Sequence, residues 1–193
     1  IEKATKVLEL DFGSSTINVT ALTIGGNETM YNSGHNFFGG RMVDCLIADY
    51  YMRQLSVEEL ALIEDLDRNN HGAATRLLLL EACSAKEKLT ASTTVRVVTD
   101  FIDRRVSITR EIYASLLEQP MAPRVSQFDL LTDIELNEFG SRSWREILVS
   151  YLKQEKDILE KKRIVPEIVI VTGGGALLPD IQDACRLIFA NHL

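Results

Sequence analysis

The sequence predicts an α/β fold: a mixed sheet flanked by helices, with a small helix-and-hairpin unit set into it. Three observations lead there. Between residues 7 and 35, three runs alternate apolar with polar residues and are separated by small-residue turns, the period of strands. From residue 40 to residue 118 the period changes to that of helices, interrupted by one alternating pair of runs. Near the far end of the chain an apolar strand over 167–171 returns and leaves through Gly173-Gly174-Gly175 into another helix.

The elements follow in order. Residues 7–12, 16–24 and 29–35 read as a three-stranded meander turning at Gly13-Ser14-Ser15 and at residues 25–28. Gly39-Gly40 opens a helix whose Met42, Val43, Leu46, Ile47, Tyr50 and Tyr51 recur at helical spacing. Ser56-Val57-Glu58-Glu59 has the capping-box form and starts a second helix, which Asn69-Asn70-His71-Gly72 stops. A third helix is predicted over 73–89. Residues 93–101 and 104–108 form a hairpin turning at Ile102-Asp103, and Thr109 caps the helix after it. Residues 124–142 carry Asp129, Asp133, Glu135 and Glu138 but little periodicity, and read as a loop with a turn of helix. An amphipathic helix over 143–162 precedes the break at Pro166, and Pro179 suits the first turn of a last helix over 179–191.

Composition narrows the function. With 193 residues, 46% hydrophobic and 25% charged, the chain has the make-up of a globular protein. A net charge of −7 disfavours nucleic acid and anionic membrane as partners. No apolar run reaches the ~20 residues of a membrane span. The three cysteines, Cys45, Cys83 and Cys185, are scattered through helical patterns and read as core thiols. His35, His71 and His192 read as solvent-facing, and Trp144 as a packing anchor.

Two turns carry the chemistry. A hairpin turn built of Gly13, Ser14, Ser15 and Thr16 presents backbone N–H groups and hydroxyls to an anion. Asp11, at its mouth, is placed to hold a magnesium ion through water. The second turn, Gly173-Gly174-Gly175, follows a strand and precedes a helix, so side chains are absent where a ligand meets the sheet's carboxyl end. Either turn alone is also compatible with a purely structural role.

Taken together, the two turns resemble lobe II of the actin-like ATPase superfamily (ribonuclease H-like fold), and within it the DnaK-type (heat-shock 70-kDa) chaperones. Asp11-Phe12-Gly13-Ser14-Ser15-Thr16 is similar to that family's Asp-Leu-Gly-Gly-Gly-Thr phosphate motif. Phe38-Gly39-Gly40-Arg41-Met42-Val43-Asp44 resembles its Leu-Gly-Gly-Glu-Asp-Phe-Asp segment, and Ala85-Lys86-Glu87-Lys88-Leu89-Thr90 its adenosine-lining helix. Val106-Ser107-Ile108-Thr109-Arg110 resembles its hairpin-to-helix step. Gly173-Gly174-Gly175-Ala176-Leu177-Leu178-Pro179 resembles its adenosine motif, and also the corresponding turn of bacterial actin homologues. Residues 119–165 resemble no segment of the family that can be placed and are longer than its usual connection.

The resemblance implies a core subdomain, IIA, over 1–40 and 119–193, and a subdomain IIB over 41–118, with lobe I and the peptide-binding domain absent. It implies phosphate contacts from Asp11, Gly13, Ser14, Ser15, Thr16, Gly39 and Gly40, adenosine contacts from Lys86, Glu87, Thr90, Gly173, Gly174, Gly175 and Leu177, and ATP or ADP with Mg2+ as the ligand of the whole protein. There are departures. Glu87 and Leu177 stand where the family has two adenine-stacking arginines, Asn18 where it has an acid, Arg41 where it has Glu, and Ser14 and Ser15 where it has glycines. The expected function is therefore that of an ATP-binding lobe of a divergent chaperone, inactive as an ATPase by itself. The alternatives are a non-catalytic co-chaperone or nucleotide-exchange-type module, and an actin-like filament subunit. The expected partners are the protein's own lobe I and other chaperones or co-chaperones. The expected compartment is the cytoplasm, with the endoplasmic reticulum lumen as alternative.

Overall fold

The computed structural model describes residues 5–25 and 28–189. The chain divides into two compact units, one of residues 1–40 and 145–193 and one of Arg41–Trp144. Residues 119–144 fold with the second unit.

The first unit is built on a four-stranded mixed sheet in the order β3-β2-β1-β6, with β1 Thr5–Phe12, β2 Thr16–Ile24, β3 Glu28–Asn36 and β6 Ile168–Thr172. The first three strands pair antiparallel, and β6 runs parallel to β1 with Leu10 opposite Val171 and Asp11 opposite Thr172. β1 is central because Leu8, Leu10 and Phe12 are wholly buried on one face; burying each such side chain is worth about 1.5–3 kcal/mol. Two helices cover that face, α7 (Trp144–Lys161) and α8 (Pro179–Phe189). Part of the predicted turn at 25–28, residues 26 and 27, and the predicted end of the last helix at 191 lie outside the described residues.

The charged residues of α7 are not all on its solvent side. Glu155 is buried and accepts hydrogen bonds from Tyr31 Oη at 2.9 Å and Ser33 Oγ at 3.0 Å on β3. His35, at the end of the strand predicted over 29–35 and read as solvent-facing, is half-buried in β3, with its ring centroid 5.4 Å from that of Tyr151 and 5.7 Å from that of Phe38. Alternation puts Tyr31, Ser33 and His35 on one side of the strand, and that side is the one α7 covers.

The second unit begins with α1 (Gly40–Met52), α2 (Val57–Asn69) and α3 (Ala73–Leu89), followed by the hairpin of β4 (Thr94–Thr99) and β5 (Ile102–Thr109) and by α4 (Arg110–Leu117). Ser56 accepts from the backbone N–H of Glu59, and the Glu59 side chain reaches back, so the capping box forms; Thr109 caps α4. The hairpin turns at residues 100–101, two residues earlier than predicted. Ile102 opens β5 and joins the apolar cluster of Ile63 and Ala74, against which Phe101 of the turn also packs.

The 124–142 stretch is more ordered than its composition indicates. It contains α5 (Ala122–Val125), a 3-10 turn at Ser126–Phe128 and α6 (Asp133–Phe139). Thr132 and Glu135 close a second capping box. That Thr-x-x-Glu spacing is legible in the sequence and was the missed signal. A buried cluster ties the stretch down, with Asp49 of α1 taking Arg124, Gln127 and Arg53.

Candidate functional site

The first turn closes through a bond from Gly13 N–H to Thr16 O at 2.9 Å. The segment leading into α1 lies on it, with Gly40 N–H donating to Gly13 O at 3.1 Å. A Cβ at Gly39 would stand 2.6 Å from Ser14 O and 2.7 Å from Gly13 O, so only glycine lets the two backbones approach. Phe38, fully buried beside His35, anchors this segment, and Phe37 before it adopts a left-handed φ of 68°. Ser14 is exposed, and Asp11, Ser15 and Thr16 are half-buried, so hydroxyls and one carboxylate surround the turn.

The second turn lies against the first. Gly173 has φ 84°, and a Cβ there would meet Asp11 Oδ1 at 2.4 Å and Phe12 O at 2.5 Å. The backbone leaving β6 thus abuts the Asp11 carboxylate. Gly175 packs on Phe12 and Ile181, whereas a Cβ at Gly174 would have nothing within 4 Å. Residues Gly174–Leu177 form a 3-10 turn before α8. Leu177 is 69% exposed and offers apolar cover without a charge.

These residues fit a phosphate group carrying magnesium. The glycines keep side chains out of the cradle, Gly174 leaves open space, three hydroxyls can donate and Asp11 can accept from a metal's water shell. Among the described residues no set of three or more His, Cys, Asp or Glu side chains is grouped to hold a metal ion directly.

The predicted adenosine residues of the second unit have local partners. Lys86 on α3 and Asp44 on α1 form a buried ion pair, Nζ to Oδ1 2.7 Å. Burial pushes the Asp44 carboxyl above its ordinary range, and Lys86 opposes that shift. Glu87 is exposed, and its backbone oxygen accepts the Thr90 hydroxyl at 2.7 Å, closing the end of the helix. Cys83 is half-buried beside Glu87 and burial pushes its thiol up as well, whereas in the fully buried Cys45 and Cys185 burial pushes it up to about 12.

Two residues of the first unit went unmarked by sequence reasoning. Thr172, opposite Asp11, donates its hydroxyl to Glu9 Oε1 at 3.3 Å. Strand alternation places Glu9 on the same face as Asp11, and that parity was the available signal.

A family model described as Hsp70 protein matches residues 1–192. A chaperone protein HscA homolog of Pseudomonas fluorescens is 33% identical over 123 residues, which cover 64% of this chain and 18% of that protein. The chain therefore spans a small part of the length of this relative. Hsp70 proteins as a family bind ATP or ADP with Mg2+, and their nucleotide-binding domain has the actin-like α/β architecture seen here, a mixed sheet flanked by helices. The sheet, the paired glycine turns and the match over almost the whole chain agree, and the chain belongs to the Hsp70 family.

Proposed function

We propose that this chain is lobe II of the nucleotide-binding domain of a divergent Hsp70-type chaperone, with 1–40 and 119–193 as subdomain IIA and 41–118 as IIB by the family resemblance, a division that departs from the two compact units over 119–144. Its role is to bind the phosphates of an adenine nucleotide. The observation that carries this reading is the contact between the two turns: Gly173 lies on the Asp11 carboxylate, and Gly39 lies on Ser14 and Gly13. Asp11, Gly13, Ser14, Ser15, Thr16, Gly39 and Gly40 surround the phosphates; Gly174, with open space beside it, faces the nucleoside. Magnesium, when bound, offsets phosphate charge and orients the nucleotide through its water shell. Asp11 holds those waters, and Gly173 fixes where its carboxylate stands.

Titration calorimetry of the intact protein with ADP and magnesium tests this. Binding that is lost in Asp11→Ala is expected; no heat from the intact protein rejects the reading.

A specific observation favours a second reading, a degenerate site in a non-catalytic chaperone partner. Lys86 is engaged by Asp44, and Glu87 and Leu177 cannot stack on a base as arginine does. That reading predicts normal chaperone function in the intact protein after Asp11→Ala. Loss of function in that variant decides for nucleotide use.

A further inference from the structure

One face of the sheet in the first unit carries Leu8, Leu10 and Phe12 and is covered by helices, as the contacts of Phe12 with Ile181 through Gly175 and of Ser33 with Glu155 show. The other face carries two polar rows at the site end. The first row runs Gly34, Asn18, Asp11, Thr172 across β3, β2, β1 and β6. The second, two residues farther from the site end along each strand, runs Asn32, Thr20, Glu9, Ile170. Cross-strand neighbours share a face, as do residues two apart in a strand, so Glu9 and Asp11 point to the same side. Neither row contains a lysine or arginine.

Glu9 does not extend away from the site. The Thr172 hydroxyl, in the Asp11 row, holds Glu9 Oε1 at 3.3 Å. The carboxylate is drawn toward the end of the strand where Gly173 begins. Two carboxylates therefore stand one sheet row apart beside the phosphate cradle, on a face whose residue 18 is a neutral amide.

We propose that Glu9 is a positioning residue of this site, the second negative charge that makes nucleotide binding depend on a divalent cation. The proposal rests on the nucleotide reading above. Same-face neighbours in a strand are separated by roughly 7 Å, within one Debye length, so Glu9 repels a bare polyphosphate bound at the turn. A cation carried by the nucleotide cancels that repulsion and is drawn by both carboxylates. Thr172 sets the strength of the effect by holding the carboxylate in the Asp11 row.

Calorimetric titration of the intact protein with ADP, once with magnesium chloride and once with EDTA, tests the proposal. In Glu9→Gln, which keeps the side chain's size and its bond to Thr172, ADP in EDTA binds about tenfold tighter than to the wild type, and the enhancement by magnesium shrinks by a similar factor. Thr172→Val leaves the charge but frees the carboxylate, and moves both quantities the same way by a smaller factor. Adding Asn18→Asp to Glu9→Gln restores the magnesium dependence by returning a charge next to Asp11. A purely structural role for Glu9 leaves the ratio of the two affinities unchanged, and that result, with ADP still bound, overturns the proposal. Absence of ADP binding by the wild type in both conditions instead overturns the nucleotide reading, and this inference with it.

Discussion

At Gly39 and Gly173 a missing side chain lets one segment of backbone lie on another; at Lys86 an ammonium is matched to a carboxylate inside a helical pair. The two regions bear the residues that the family resemblance assigns to one ligand, yet they are held by different physics. The turns of the first unit depend on steric room, which at Gly39 and Gly173 tolerates no added atom. The Lys86–Asp44 pair of the second unit depends on two charges remaining together in a poorly solvated place, which tolerates an apolar replacement of both but not the loss of one. The difference teaches where divergence is cheap. Side chains fit in the cradle where the backbone leaves room, as Ser14 and Ser15 do here, provided glycine stays at the close approaches Gly39 and Gly173. A buried ion pair has to change as a pair.

The largest effect should break the steric side. Gly173→Val combines a β-branched side chain at φ 84° with a collision against Asp11 and Phe12, and is expected to cost about 4 kcal/mol or more. Urea unfolding checks it, with Gly174→Ala as control: space is open there, and the change should stay within about 0.5 kcal/mol. If the two variants unfold alike, the glycines do not hold the turns as described.

Next is the electrostatic side. Lys86→Met leaves Asp44 buried without its cation and should cost about 3 kcal/mol, most of it recovered in Lys86→Met/Asp44→Leu. Asp44 also gives a pH dependence. Its folded pKa lies above the ordinary 3.8 because of burial, so its stabilising contribution is fully present below that value and is lost as pH rises through the raised one. Unfolding of the wild type against Asp44→Asn over a pH series should show the wild type gaining relative stability on acidification through this window.

A smaller effect is expected at Glu155, whose two oxygens accept from Tyr31 and Ser33. Glu155→Gln keeps the volume but turns an amide donor toward hydroxyls, at a cost of about 1–2 kcal/mol by thermal or urea unfolding. The smallest effect involves no stability change. In the native protein Cys83 should react with a thiol reagent ahead of Cys45 and Cys185, which are buried and whose thiols burial holds protonated. Equal rates for all three would show that the two helices carrying Cys45 and Cys185 open more readily than their burial implies.

Local chemistry explains what was legible. Gly13, Gly39 and Gly173 were visible because turns and close approaches demand glycine. The Ser56 and Thr109 caps were visible because a cap is written within four residues, and the same rule, applied to Thr132 and Glu135, finds α6. The hairpin turn was misplaced because Ile102 answers to a cluster with Ile63 and Ala74 that no local pattern announces. The half-burial of His35 is not legible locally because its ring partners, Phe38 and Tyr151, come partly from a helix far along the chain.

The sequence by itself determined the four strands of the sheet, the longer helices, the glycine turns and the resemblance that the family match bears out, because each rests on periodicity or on residues close together in the chain. Only the tertiary structure decided that Gly173 touches Asp11, that Lys86 is matched by Asp44, that Glu155 meets a tyrosine 124 residues away, and that Thr172 draws Glu9 toward the site. Those are choices among many chemically suitable partners, and the register of the sheet and the seating of each helix select one.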